Sequence, residues 1–216
     1  MPRSSHAPPV PSAASKQLRR FAVIGLLLCA LLIFGGCTTQ VTPPTELEAP
    51  AMVFVLDHGR HTSLVVSTPD GGLVRYAYGD WRYYAERETG IIRALAALLW
   101  NTQAALGRRE LPGPPTTQAV REQVPLVINA VHGLEVERAR IETLRAELDA
   151  VFDGAEQVRE TPETQLFFVR YPRAYNLRHN SNTVIADWLE RLGCETSGPA
   201  LVASWRIKEP TTGEQQ

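Results

Sequence analysis

The sequence predicts an α+β domain with a mostly antiparallel sheet, on three observations. Short β-branched and aromatic runs open the folded region at Met52 to Leu56, Thr62 to Ser67 and Leu73 to Tyr78, and Pro69-Asp70-Gly71-Gly72 supplies hairpin turn chemistry between the last two. Later segments switch to helical spacing. Strand-like runs then return between and after the helices, the pattern of α+β folds.

The elements follow in order. Ile91 to Leu106 carries Ile91, Ile92, Leu95, Leu98, Leu99 and Leu106 among helix-forming alanines, which predicts an α-helix. Its apolar face is broad, so it is either buried or pressed against a membrane. Leu111 to Thr117 reads as a Pro/Gly-rich loop, and Val124 to Ile128 as a strand that Pro125 confines to an edge. Val136 to Phe152 repeats Ile141, Leu144, Leu148, Val151 and Phe152 at helical spacing, with Gly154 placed to end the helix. Leu166 to Tyr171 is a strand. Val184, Ile185, Trp188, Leu189 and Leu192 mark one face of a further helix closed by Gly193, and Leu201 to Ile207 is a last strand. Residues 210–216 read as a polar, mobile tail.

Ahead of this domain stands a leader. Lys16, Arg19 and Arg20 precede an apolar run from Phe21 to Phe34, closed by Gly35-Gly36-Cys37. The run is short for a spanning helix, which needs about 20 apolar residues. It resembles a bacterial lipoprotein signal occupying residues 1–36, cleaved so that Cys37 carries lipid; an uncleaved anchor of the same orientation is the alternative. Phe34 stands where such signals usually have leucine. Thr38, rather than aspartate, after the cysteine resembles lipoproteins sent to the outer membrane. Both alternatives place the domain at the periplasmic face of the bacterial cell envelope. Residues 37–50, with Pro43, Pro44 and Pro50, read as a flexible tether, and residues 51–209 as a single domain.

Composition excludes several function classes. A formal net charge of -1, from 22 basic and 23 acidic residues, gives no field for nucleic acid, and no basic patch is interleaved with aromatics. Of the three cysteines, Cys29 leaves with the signal and Cys37 takes lipid, so Cys194 alone remains and no intrachain disulfide forms. Cys194 reads as a small hydrophobe in a turn. No Cys/His cluster has zinc spacing, and no metal or cofactor is implied.

Two segments hold polar residues that packing alone does not require: Asp57-His58-Gly59-Arg60-His61-Thr62 between two strands, and Tyr175 to Thr183 running into a helix. A histidine at a strand edge facing a nucleophile at a helix N-terminus is a workable pair. The imidazole takes a proton near neutral pH, and the helix dipole with its free N–H groups stabilises developing negative charge.

These residues resemble a known family. HGRHTSLVV at His58 to Val66, then Tyr78-Gly79-Asp80 and Tyr83-Tyr84, then YNLRHNSNTVIADWLERLG at Tyr175 to Gly193, look like a bacterial conserved-hypothetical family, a domain of unknown function known from urease-gene regions. The resemblance spans about Met52 to Ile207. That family in turn resembles circularly permuted papain-like (NlpC-type) proteins, in which an early histidine serves a late cysteine nucleophile. The resemblance implies that architecture, with His61 as the histidine and Ser181 at the cysteine position. Asp57, Asp80 and Asn182 are the candidates to orient His61, and Asn180 and Asn182 flank the nucleophile position.

Serine in place of cysteine sets the functional alternatives. A thiol at a helix N-terminus ionises near neutral pH, whereas a hydroxyl attacks only when a base removes its proton during the step. The first reading is an envelope-anchored lipoprotein whose papain-like domain is non-catalytic or weakly active and binds an envelope ligand such as a peptidoglycan peptide or lipid. The second is an active serine amidase, hydrolase or acyltransferase working on envelope amides or esters, with His61 as base. A structural envelope lipoprotein without a cleft is the third. Ser181, Asn180 and Asn182 each also fit the simpler role of helix N-cap, and His58 and His179 that of loop residues.

Overall fold

The computed structural model describes residues 38–88, 90 and 100–208. Within them the order is β1 (Thr39–Thr42), β2 (Pro50–Asp57), β3 (Thr62–Ser67), β4 (Leu73–Asp80), α1 (Trp81–Tyr84), β5 (Thr102–Leu111), α2 (Thr117–Gln123), β6 (Ala130–Glu137), α3 (Arg138–Asp153), β7 (Arg159–Thr161), β8 (Leu166–Tyr175), α4 (Ser181–Arg191), β9 (Glu195–Ser197) and β10 (Trp205–Ile207). The class is α+β. Seven strands form one sheet in the order β6-β2-β3-β4-β5-β8-β7, antiparallel at each pairing.

Local sequence explains the meander at its centre. β3 is buried along its whole length, its central Leu64-Val65-Val66 covered on both faces and its polar Thr62, Ser63 and Ser67 buried at the ends. The turn to β4 closes with Thr68 N–H donating to the Gly72 carbonyl at 2.9 Å, and Gly71 takes a φ of 86°. On one face, Val53, Leu64, Val66 and Tyr76 pack against Ile141, Leu144 and Leu148 of α3 and Val184, Ile185 and Trp188 of α4. On the other, Phe54, Leu56, Val65 and Leu73 meet Val120 of α2.

Several expectations change. Thr102 to Leu106, read from their alanines as the end of a helix, belong to strand β5; residues 91–99 of that expected helix lie outside the described residues. Ala104, Ala105 and Leu106 are fully buried between β4 and β8, and pairing on both sides overrides intrinsic helix preference. Residues 124–128 are not a strand: β6 starts at Ala130, and Val136 and Glu137 belong to it rather than to α3. Strand β8 runs on to Tyr175, α4 starts at Ser181, and the last strand is only Trp205–Ile207.

The segment 37–50 is not a free tether over its described part. β1 pairs parallel with β10 and antiparallel with β9, and Val41 is fully buried. Glu48 and Ala49 donate their backbone N–H groups to the Glu137 carboxylate at 2.9 and 3.2 Å. Gly198, at a φ of 103°, lets the chain pass Thr38, since a Cβ there would lie 2.7 Å from the Thr38 carbonyl oxygen. The ordered fold therefore starts before residue 51. The expected leader and the tail after 209 fall outside the described residues, and among those described no helix is long and apolar enough to cross a membrane.

Register fixes what lies at one end of the large sheet. Asp57 pairs with Thr62 and with Ala130, Asp80 with Ala104, and Thr102 with Tyr175. The end of β2, the start of β3, the end of β4, the start of β5, the start of β6 and the end of β8 thus gather together. α4 opens six residues beyond β8, at the same place.

Candidate functional site

The two polar segments of the sequence meet through the neighbours of His61 and Ser181. Thr62 Oγ1 donates to Asn182 Oδ1 at 2.7 Å across 120 positions of chain, and it accepts from Trp205 Nε1 at 2.9 Å. Asn182 Nδ2 completes the clasp by donating to the Leu201 carbonyl at 3.2 Å. Thr62, Asn182 and Trp205 are buried, so the two bonds of the Thr62 hydroxyl are made out of competition with water.

Asn180, rather than Ser181 or Asn182, is the N-cap of α4. Its Oδ1 accepts from the backbone N–H groups of Asn182 at 2.8 Å and Thr183 at 3.2 Å, while Thr183 Oγ1 accepts from the Asn180 N–H at 2.9 Å. This reciprocal box satisfies donors that a helix start leaves free. Asn180 Nδ2 also donates to the Leu177 carbonyl at 2.9 Å. Ser181 is left with no capping duty. It is 1 % exposed, and its hydroxyl makes no hydrogen bond among the described residues.

His61 immediately precedes β3 and packs against tyrosines. Its ring centroid lies 5.3 Å from that of Tyr84, edge-on, and 6.1 Å from that of Tyr83. Nδ1 is buried without a partner, and no hydrogen bond joins the ring to Ser181. Burial, with the Arg60 charge adding to it, pushes the imidazole down to about 4, so it is neutral at pH 7.

None of the three candidate orienting groups hydrogen-bonds His61. The Asp57 carboxylate turns into its own loop and accepts from the Gly59 N–H. Asn182 is committed to the clasp. Asp80 caps α1 through Oδ1, which accepts from Tyr83 N–H at 2.8 Å, and its Oδ2 is buried without a partner. Trp81 beside it is a buried anchor, and Tyr175 stacks on Tyr78 at 5.9 Å.

His58 and His179 have hydrogen-bond partners of their own. His58 Nε2 accepts from Arg75 Nη2 at 3.3 Å and from the Ser63 hydroxyl at 3.0 Å, which assigns the proton to Nδ1, donating to the Val127 carbonyl at 3.0 Å. Burial first, then the Arg75 charge, holds this ring down at about 4. His179 bonds Arg173. Among the described residues no group of three or more His, Cys, Asp or Glu side chains could hold a metal ion. Cys194 is buried and its thiol is pushed up to about 12 by desolvation.

Sequence reading missed Arg75, Ser63 and Thr62 as site-building residues. Arg75 is buried in the sheet and donates through Nε to Ser63 Oγ at 3.1 Å, with no carboxylate partner among the described residues. A lone arginine at an inward position of a strand was the available signal. Scanned against family models, curated proteins and solved structures, the chain matches none of them.

Proposed function

We propose that this chain is an envelope-anchored lipoprotein whose domain descends from a permuted papain-like (NlpC-type) enzyme and now acts without catalysis, binding a ligand of the cell envelope. The observation that carries the reading is the state of Ser181: a buried hydroxyl with no base on it. A serine needs proton removal in the transition state, with the base about 2.6 to 3.2 Å away. His61 makes no such bond, lacks an orienting partner, and with its pKa near 4 is a poor proton acceptor. The polar residues of both segments instead hold the strand, the helix start and β10 together. A periplasmic location and lipid at Cys37 belong to the same proposal.

A fluorophosphonate probe on the full chain tests it. The expected result is no labelling at Ser181 in wild type or His61→Ala. Labelling at Ser181 that disappears with His61→Ala overturns the reading in favour of a serine hydrolase or acyltransferase. In a Cys194→Ser background, Ser181→Cys is expected to resist a small thiol reagent in the folded chain and to react once the chain is unfolded, because the side chain at 181 is 1 % exposed and burial shields a thiol.

A further inference from the structure

Among the described residues, six large apolar side chains are exposed, and four of them, Trp100, Val127, Leu177 and Leu201, belong to segments at the sheet end that carries His61 and α4. Trp100 stands two residues before β5, Val127 three before β6, and Leu177 two after β8. Leu201 is brought there by Asn182, whose amide holds its carbonyl. The segments are fixed rather than loose. Asn180 holds the Leu177 carbonyl, His58 holds the Val127 carbonyl, and Asn176 Nδ2 donates to Asn101 Oδ1 at 2.7 Å beside Trp100. Motif side chains thus support a ring of outward apolar groups.

Two charges of one sign join the ring. Arg60, in the loop before β3, and Arg178, in the loop before α4, are exposed, and neither guanidinium has a hydrogen bond or ion pair among the described residues. Apolar side chains with free arginines between them suit an anionic lipid surface, where the first enter the acyl boundary and the second meet phosphate. A tryptophan 65 % exposed suits the same interface.

The chain also leaves the fold at this end. Thr39 N–H donates to the Ser204 carbonyl at 2.8 Å, and the Thr38 hydroxyl bonds that of Ser204 at 3.1 Å. The next residue, Trp205, reaches Thr62 at the start of β3. In the sequence Cys37, the residue read as lipid-bearing, directly precedes Thr38, and β1 starts at Thr39.

We propose that this end of the domain, Trp100, Val127, Leu177 and Leu201 with Arg60 and Arg178, docks on an anionic bilayer, so that the Ser181 end of α4 faces the lipid. The inference rests on the anchored-lipoprotein reading and names the partner of the same site. A bilayer, rather than a protein, is favoured because Thr38, the sequence neighbour of the residue read as lipid-bearing, and the apolar ring share one end.

The test uses the full chain, processed in bacteria and reconstituted in vesicles of phosphatidylethanolamine and phosphatidylglycerol with brominated acyl chains. Trp81, Trp188 and Trp205 are buried, so Trp100 reports the face. Expected are quenching of tryptophan fluorescence, its loss in Trp100→Phe, and its weakening in Leu177→Ser/Leu201→Ser and in Arg60→Gln/Arg178→Gln with folded circular dichroism spectra. Membrane-bound protein whose Trp100 stays unquenched overturns the face and leaves the anchor standing. Trp100 already shielded from aqueous acrylamide without vesicles also overturns it, in favour of a protein partner. If mass spectrometry finds no lipid on Cys37, the anchor reading fails by itself; quenching by added vesicles then still supports the face, and its absence overturns it.

Discussion

At the residue scale, the imidazoles govern how the fold answers to pH. His58 and His61 both stay neutral inside, with folded pKa values near 4 against 6.5 for the free side chain. Between those values the unfolded chain binds protons that the folded chain refuses. Stability contributed by these rings is thus complete above about 6.5 and declines as pH falls towards 4, the sense that linkage requires for a depressed pKa. The urea midpoint is expected to fall as pH is lowered through that window, and His58→Asn to flatten part of the slope. A midpoint independent of pH there contradicts the neutral, enclosed imidazoles. The same depression bears on chemistry: a ring that resists protonation, with no carboxylate to stabilise its cation, is unsuited to accept a proton from serine. Asp80 does not repair this, because one oxygen caps α1 and the other is unpartnered.

Between elements, the clasp at Thr62 is the join that the fold depends on. One hydroxyl links the start of β3, the first turn of α4 and the first residue of β10. Thr62→Val keeps the shape and removes both bonds, stranding the Trp205 indole N–H and the Asn182 amide oxygen inside. Leaving buried groups unsatisfied costs about 1 to 3 kcal/mol each, so for the two groups a loss of roughly 2 to 6 kcal/mol is expected in chemical denaturation. A change within about 0.5 kcal/mol, the level of an ordinary surface substitution, contradicts the clasp. What the sequence disclosed of these elements follows the range of the forces involved. The hairpin at Gly71 and the packing stripe of Ile141, Leu144 and Leu148 depend on neighbours in the chain, and both were legible. β5 depends on partners far away; its alanines pointed to a helix until β4 and β8 were seen to flank them. The site divides the same way. His61, Ser181 and the asparagines stood out as polar residues in apolar surroundings, but Asn180 as cap, Thr62 as clasp and Arg75 as the group beneath His58 exist only through bonds that the folded chain creates.

For the whole molecule, the sharpest departure from sequence is the order of the segment after Cys37. Prolines at 43 and 44 and few apolar residues argued for a chain that could not bury itself. That argument counts only what the segment brings, whereas Val41 is buried with Trp205, Leu192 and their neighbours in the main core, and β1 takes its backbone partners from β9 and β10. The three-stranded sheet has β1 at its centre, so β9 and β10 are not paired with one another and lose their common partner if it is removed. Two soluble chains, one starting at Thr38 and one at Pro43, separate the views. A passive tether predicts equal midpoints. The structure predicts that the shorter chain unfolds at lower denaturant, with faster amide exchange in 195–197 and 205–207 and easier acrylamide access to Trp205, while β3 and β4 keep their protection beyond their first residues. Because Trp205 also donates to Thr62, loosening β10 should carry through to the His61 end of the sheet. Removing residues 38–42 is therefore expected to disturb the candidate site in the manner of Thr62→Val, and a shortened chain with unchanged exchange at 62–64 would separate the anchor from the site.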